Sequence, residues 1–298
     1  MTGNKEKILF FINKKASDKR SAPLVPLIEA FIDHNKYVCT YLYWEKQDIK
    51  EIIPFIEQAD IVAAYGGDGT LNYAGTLCMQ YKKTLAVLPF GSGNGLARHL
   101  KIPLDLEKAM AIINQGNATA IDVVQLNNLY SFNIAGAGFD AHVAHQYAKN
   151  KGSGFWGYFS EITKGMFSFK PVSLDIQVNN KTINGSFFMV GVANGSQWGY
   201  GYTIFPEAEL NDGAMELFMI ERLRIWQIPS LVYSFMNKTL NKNKYVMIFK
   251  VKTLKLLSKA NLIMHIDGEA VVFNQEVNIT LLPKQLQVMN EAWQKTKK

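Results

Sequence analysis

Over the first 122 residues, apolar side chains follow two alternating rhythms. Residues 8–12, 37–42, 61–65 and 84–89 are short apolar runs, the pattern of strands buried on both faces. Residues 23–34, 49–57 and 71–81 repeat apolar positions every three or four residues, which predicts helices laying one face on a core. Alternation of this kind predicts a mostly parallel sheet covered on both sides, with ligands bound at the carboxyl ends of its strands. Beyond residue 122 strand patterns dominate: 129–135, 172–178, 186–193, 215–220, 245–251, 263–266 and 277–282. Turn signals such as Asn194-Gly195, Asn211-Asp212-Gly213 and Asp267-Gly268 separate them, and helical stretches at 141–149 and 224–235 interrupt. The expected organisation is an α/β domain over 1–122, a β-rich domain over 123–283, and a C-terminal segment, 284–298, packing back on the first domain.

Composition narrows the class. The 298 residues are 48% hydrophobic and 19% charged, which excludes a disordered chain and leaves room for two domains. Cys39 and Cys78 have no CxxC partner, so buried free thiols are expected rather than a disulfide scaffold or a zinc site. No apolar run approaches the roughly 20 residues of a membrane-spanning helix. The opening MTGNKEKILFFINKK brackets a five-residue apolar run with charges, too short for a signal-peptide core, so a cytoplasmic protein is expected. The net charge of +7 directs attention to an anionic partner: a nucleotide, a nucleic acid or an acidic membrane surface.

The sharpest local signal follows the third strand pattern, at Gly66-Gly67-Asp68-Gly69-Thr70-Leu71-Asn72. Glycines let main-chain amides converge on an anion, and the helix that follows aims its positive end at the same point. Asp68 is the odd member, because a carboxylate repels phosphate. Two readings stay open for it: an N-cap of the helix, or a group acting through Mg²⁺, a bridging water or proton abstraction. Thr70 is placed either to cap the helix or to donate to a phosphate oxygen. A second loop, Pro89-Phe90-Gly91-Ser92-Gly93-Asn94-Gly95, follows the next strand and precedes another helix. Two such loops at successive strand ends face one crevice, a far more specific signal than either alone. Neither matches the P-loop, and neither is a dinucleotide fingerprint.

These residues resemble the catalytic domain of the diacylglycerol kinase and sphingosine kinase superfamily, including its bacterial soluble lipid kinases. GGDGT and PFGSGNGLAR carry the likeness, with Asn13 to Ser17 in the place of a first-strand loop. Gly136-Ala137-Gly138-Phe139-Asp140, the run from Asn194 to Gly213 and Asp267-Gly268-Glu269 follow in the family's order. The resemblance implies a nucleotide-binding α/β domain, a β-sandwich-like second domain, and an active site in the cleft between them. It implies ATP as phosphoryl donor, Mg²⁺ as cofactor, and a lipid hydroxyl as acceptor, diacylglycerol-like first and a sphingoid base second. Asn13, Lys14, Lys15, Ser17, Thr40 at the end of the second strand, Gly66 through Asn72, and Ser92, Gly93 and Asn94 would line the nucleotide. Asp212, with carbonyls of Glu209 and Ala214, would hold the metal. Glu269 would be the general base, with Asp267 and Asp68 as the other catalytic carboxylates.

The first loop departs from the family pattern in lacking its Pro and Gly, with Lys14 or Lys15 supplying positive charge instead. Read alone, Asp267-Gly268 is a hairpin turn; alternation along a strand would instead put Asp267 and Glu269 on one side. A NAD kinase, which shares the glycine loop, and a nucleotide-binding protein without turnover are the alternatives.

Two stretches bear on membrane contact. Residues 149–170 interleave Phe155, Trp156, Tyr158, Phe159, Phe167 and Phe169 with four lysines. Residues 222–235 put Ile225, Trp226, Ile228, Leu231, Val232 and Phe235 largely on one helical face, as core packing or as a membrane face. Residues 242–259 carry six lysines and no acid, the mark of a solvated strand edge. The partners expected are ATP, a lipid and, transiently, an anionic membrane surface at the inner face of the membrane. No nucleic acid is expected, and a homodimer is left open.

Overall fold

The computed structural model describes residues 5–45, 48–149, 165, 169–199, 202, 203, 205 and 208–291. The chain divides into two compact units: Met1–Ile121 with Lys284–Lys298, and Asp122–Pro283.

The first unit alternates strands and helices: β1 (Glu6–Asn13), α1 (Lys14–Ser17), α2 (Leu24–Phe31), β2 (Tyr37–Trp44), α3 (Ile49–Gln58), β3 (Ile61–Gly66), α4 (Asp68–Tyr81), β4 (Thr84–Pro89), α5 (Gly95–His99) and α6 (Leu106–Gln115). β5 (Ala118–Leu126) follows and runs across the unit boundary. Parallel pairing gives the order β4-β3-β1-β2, and Gln287 and Val288 from the end of the chain add a parallel strand beside Thr84 and Leu85. The apolar runs are buried on both faces: Phe10, Phe11 and Ile12 of β1 and Val62, Ala63, Ala64 and Tyr65 of β3 have no exposed surface. Register brings the strand ends level, with Asn13 opposite Trp44, Tyr65 opposite Ile12 and Pro89 opposite Gly66.

The second unit is antiparallel. Its elements are β6 (Leu129–Ser131), β7 (Ile134–Gly138), α7 (Phe139–Lys149), β8 (Val172–Val178), β9 (Lys181–Ala193), β10 (Gln197–Gly199), β11 (Tyr202–Thr203), β12 (Met215–Glu221), α8 (Ile228–Met236), β13 (Val246–Val251), β14 (Thr253–Leu257), β15 (Leu262–Ile266), β16 (Glu269–Phe273) and β17 (Glu276–Met289), whose last residues, from Lys284 on, belong to the first unit. The long β9 pairs with β8 through its first half and with β7 and β12 through its second. Strict alternation along β12 feeds two cores. Met215, Leu217 and Met219 enter one layer, while Phe218 and Ile220 enter another with Phe139, Val143, Phe188 and Phe205. Phe235 and Leu231 of α8 pack on that second layer.

Candidate functional site

At the carboxyl end of the first unit's sheet, Asn13 turns the chain out of β1 and caps α1, its Oδ1 accepting the Ala16 amide at 3.2 Å. The segment that departs from the family pattern is thus one helical turn held by its own cap. The Asn13 Nδ2 donates to Thr70 Oγ1 at 2.9 Å, tying this turn to the first glycine loop. Thr70 is buried, its hydroxyl oxygen accepting that bond at the start of α4.

Asp68 is not the N-cap of its own helix. Gly67 holds that place, and Asp68 is the first helical residue. Its carboxylate crosses to the second loop, where Oδ2 accepts the Asn94 amide and Oδ1 the Gly95 amide, each at 2.8 Å. It caps the neighbouring helix α5. The acid that seemed misplaced in a phosphate loop is therefore the clasp that fixes one glycine loop against the other. The loops meet main chain to main chain: a Cβ on Gly91 would lie 2.6 Å from the Gly67 Cα. Phe90 donates its amide to the Gly66 carbonyl at 2.8 Å, and Arg98 Nε holds the Gly93 carbonyl at 3.1 Å.

These contacts frame a cleft of about 450 Å³ lined by Asn13, Lys15, Ala16, Lys19, Gly67, Pro89, Phe90, Gly91, Ser92, Asn94 and Leu104. Lys15 in α1 and Lys19 in the turn that follows it give the cleft its positive charge. Asn94 takes a left-handed backbone, φ 52°, and donates Nδ2 to the Gly91 carbonyl at 2.7 Å. Its buried Oδ1 accepts no hydrogen bond among the described residues, an acceptor ready for a ligand N–H or O–H. The cleft thus offers glycine amides, two ammonium groups and a carboxamide, the chemistry that recognises a polyphosphate joined to a hydrogen-bonding base or sugar.

In the second unit, Asp267 and Gly268 form a two-residue hairpin turn with φ 49° and 91°, and Ile266 pairs with Glu269 across it. The turn overrides strand alternation, so the two carboxylates do not share a strand face. Asp267 points back onto the bend between β6 and β7. Its oxygens accept Ser131 Oγ at 2.7 Å and the amides of Phe132, Asn133 and Ile134 at 3.0, 3.0 and 3.2 Å. Glu269 is exposed. Beneath the turn, His265 Nε2 meets Asp140 Oδ2 at 2.9 Å, with side chains only 4% and 2% exposed. The Gly268 amide donates to His265 Nδ1 at 3.4 Å. Gly136 makes room for this pair, since a Cβ there would lie 2.9 Å from Asp140 Oδ2.

The model of the diacylglycerol kinase catalytic domain matches residues 7–126, and that of the YegS C-terminal NAD kinase beta sandwich-like domain matches residues 133–290. The chain belongs to the family defined by the YegS C-terminal domain, and the segment before that domain is a diacylglycerol kinase catalytic domain. Proteins of Yersinia pestis (strain Pestoides F) and Yersinia pseudotuberculosis serotype O:1b, both named "Probable lipid kinase YegS-like", are 29% identical over 256 residues, 82% of this chain and 84% of theirs. A solved diacylglycerol kinase of Bacillus anthracis str. Sterne superposes with a TM-score of 0.71 at 16% identity, over 96% of this chain and 97% of its own. A second solved chain from that strain reaches a TM-score of 0.77 at 19% identity, over 96% of this chain and 95% of its own. At these identities the structures share the fold.

The family's site residues distribute unevenly over this chain. Asn13, Lys15, Gly67, Ser92 and Asn94 line the cleft; Gly66 ends β3, Gly69 lies in the first turn of α4, and Gly93 lies in the second loop. Lys14 and Ser17 do not line it, and Lys14 turns instead to Glu45 at 3.4 Å. Thr40 lies mid-strand opposite Leu9, because β2 runs on through Tyr43 to Trp44, which takes the strand-end place. Leu71 is core, 1% exposed, and Asn72 follows it in α4. Lys19 and Leu104 lie outside every segment that the sequence marked as a site, since neither belongs to a glycine loop or to the Asn13–Ser17 turn.

At the expected metal site a lysine meets the carboxylate. Asp212 Oδ2 meets Lys250 Nζ at 2.5 Å, Oδ1 accepts the Ala214 amide at 3.0 Å, and Glu216 stands 3.8 Å from the same ammonium. The hydrogen bond to Asp212, against some desolvation, raises the Lys250 pKa, so the ammonium stays charged. A lysine supplies the positive charge that Asp212, Glu209 and Ala214 were expected to take from Mg²⁺. Among the described residues, no three His, Cys, Asp or Glu side chains gather around a metal-sized space. Of the aromatic stretch at 149–170, Phe155, Trp156, Tyr158, Phe159 and Phe167 lie outside the described residues.

Proposed function

We propose that the protein transfers the γ-phosphate of ATP, taken up as its magnesium complex, to the hydroxyl of a membrane lipid. A diacylglycerol-like glycerolipid is the first acceptor and a sphingoid base the second. That it is a phosphotransferase with an alcohol acceptor follows from the family. The observation carrying the donor side is the cleft where Gly67 and Gly91 touch, flanked by Lys15 and Lys19. In this reading the glycine amides and the two lysines hold the phosphates, and Asn94 Oδ1 receives a hydrogen bond from the base or ribose. Asp68 keeps the loops in register without touching the phosphates.

On the acceptor side, Glu269 takes the hydroxyl proton as the acceptor oxygen bonds to the γ-phosphorus. The bond from that phosphorus to the β-γ bridging oxygen breaks, and ADP leaves. Asp267 holds the turn that presents Glu269. Working on such a lipid, the enzyme acts at an anionic membrane surface, at the inner face of the membrane. Incubation with labelled ATP, Mg²⁺ and mixed lipid extract is expected to label a lipid. No labelled lipid beside an active control overturns the reading. Label in added NAD would make it a NAD kinase, and tight ATP binding without transfer would make it a binding protein.

A further inference from the structure

Helix α8 is apolar on two opposite faces. Leu231 and Phe235 face inward onto the core, with Ser234 buried between them. Outward, Trp226 on the preceding turn, Tyr233 and Met236 are 68%, 69% and 66% exposed, with Val232 beside them. The inward face accounts for the helix's place in the fold; among the described residues the outward side chains belong to neither core layer. Residues 225–237 contain no charged side chain, and they are framed by Arg222 and Arg224 before and Lys238, Lys242 and Lys244 after, all exposed. No Asp or Glu occurs between Glu221 and Asp267. The Arg224 guanidinium lies over the Trp226 ring at 5.4 Å. An uncharged, Trp- and Tyr-bearing helical face inside a ring of cations is the form that lies in the headgroup layer of a membrane.

We propose that the outward face of α8, with its five flanking cations, docks the protein on an anionic bilayer. The proposal rests on the lipid-kinase reading and deepens it, because an acceptor anchored in a bilayer has to be met by a face that reaches it. A second copy of this chain is disfavoured as occupant, since it would set cations against cations.

The test is co-sedimentation with phosphatidylcholine vesicles, with and without phosphatidylglycerol, alongside phosphorylation of vesicle-borne long-chain and dispersed short-chain diacylglycerol. Wild type is expected to bind only the anionic vesicles. Joint Trp226→Ser, Tyr233→Ser and Met236→Ser changes, all at exposed positions, should weaken that binding by about ten-fold or more. Joint Lys238→Gln, Lys242→Gln and Lys244→Gln changes should weaken it by about a hundred-fold, at about five-fold per cation near an anionic surface. Both variants should keep the wild-type melting temperature and short-chain activity while losing long-chain activity. Equal binding to both vesicle types, or variants that bind as wild type does, overturns the docking proposal. So does a dimer in light scattering that the serine variant dissolves, which would hand the face to a second copy. Vesicle binding lost in the variants, with no lipid labelled by any form, would uphold docking and defeat the kinase reading instead.

Discussion

Asp68 and Asp267 perform the same task in different units. Each spends its charge on main-chain amides of a neighbouring loop, and such charge-assisted bonds are stronger and shorter than neutral ones. Removing either leaves amides without an acceptor, at about 1–3 kcal/mol each where they are buried. Asp68→Ala should therefore lower stability and weaken ATP binding together, measurable by calorimetry. A direct phosphate or metal role would predict lost turnover at unchanged stability, and that result would count against the clasp. Gly91→Ala probes the same junction from the other side. Its methyl would stand 2.6 Å from a main-chain atom of Gly67, which no rotamer change relieves. The variant should keep its circular dichroism spectrum yet lose about a hundred-fold in transfer rate through misplaced loops. Full activity would show that the two loops do not need this close approach. The glycines and Asp68 were legible as a site from spacing alone. Asp68's partner was not, because a bond between residues 68 and 94 depends on tertiary packing.

Among the elements, strand existence was easier to read than strand extent. The apolar runs of β1, β3 and β4 stand out because both faces are buried. β2 runs on to Trp44, its last residues stabilised by the Trp44–Tyr73 stack at 4.9 Å. β9 begins at Lys181, ahead of the expected start at residue 186, and β17 passes through Pro283 with Lys284 at φ 53°. Helix α6 is absent from the expected elements although Asp105 caps it, Gly116 ends it at φ 74°, and Leu106, Ala109, Met110 and Ile113 repeat at helical spacing. The expected strand 129–135 is two strands, broken where the Asp267 carboxylate gathers successive amides. This separates the two acids of the hairpin by experiment. Asp267→Ala should destabilise the second unit by about 2–4 kcal/mol in denaturant unfolding. Glu269→Gln, at an exposed position, should leave the midpoint unchanged and cut transfer by about 10²–10⁴-fold. Wild-type turnover of Glu269→Gln would remove it as the base.

For the molecule as a whole, acid sensitivity has an identifiable source at the end of α5. Burial, with a smaller contribution from Lys101, lowers the His99 pKa from 6.5 to about 4. Between those values the unfolded chain binds a proton that the folded chain refuses. The stability His99 contributes is complete above 6.5 and is lost as the pH falls to about 4. Melting temperatures over that range should fall less steeply for His99→Gln than for wild type, and parallel slopes would exclude His99 as the source. The path of the chain carries a different consequence. The first unit borrows residues from both ends of the sequence, with Gln287 and Val288 lying beside Thr84 and Leu85. A ribosome making this protein therefore releases the N-terminal half long before its sheet can close. That half must wait, with the Thr84–Pro89 strand edge bare, until Gln287 and Val288 emerge, and during translation this is where a chaperone or an errant strand would find it.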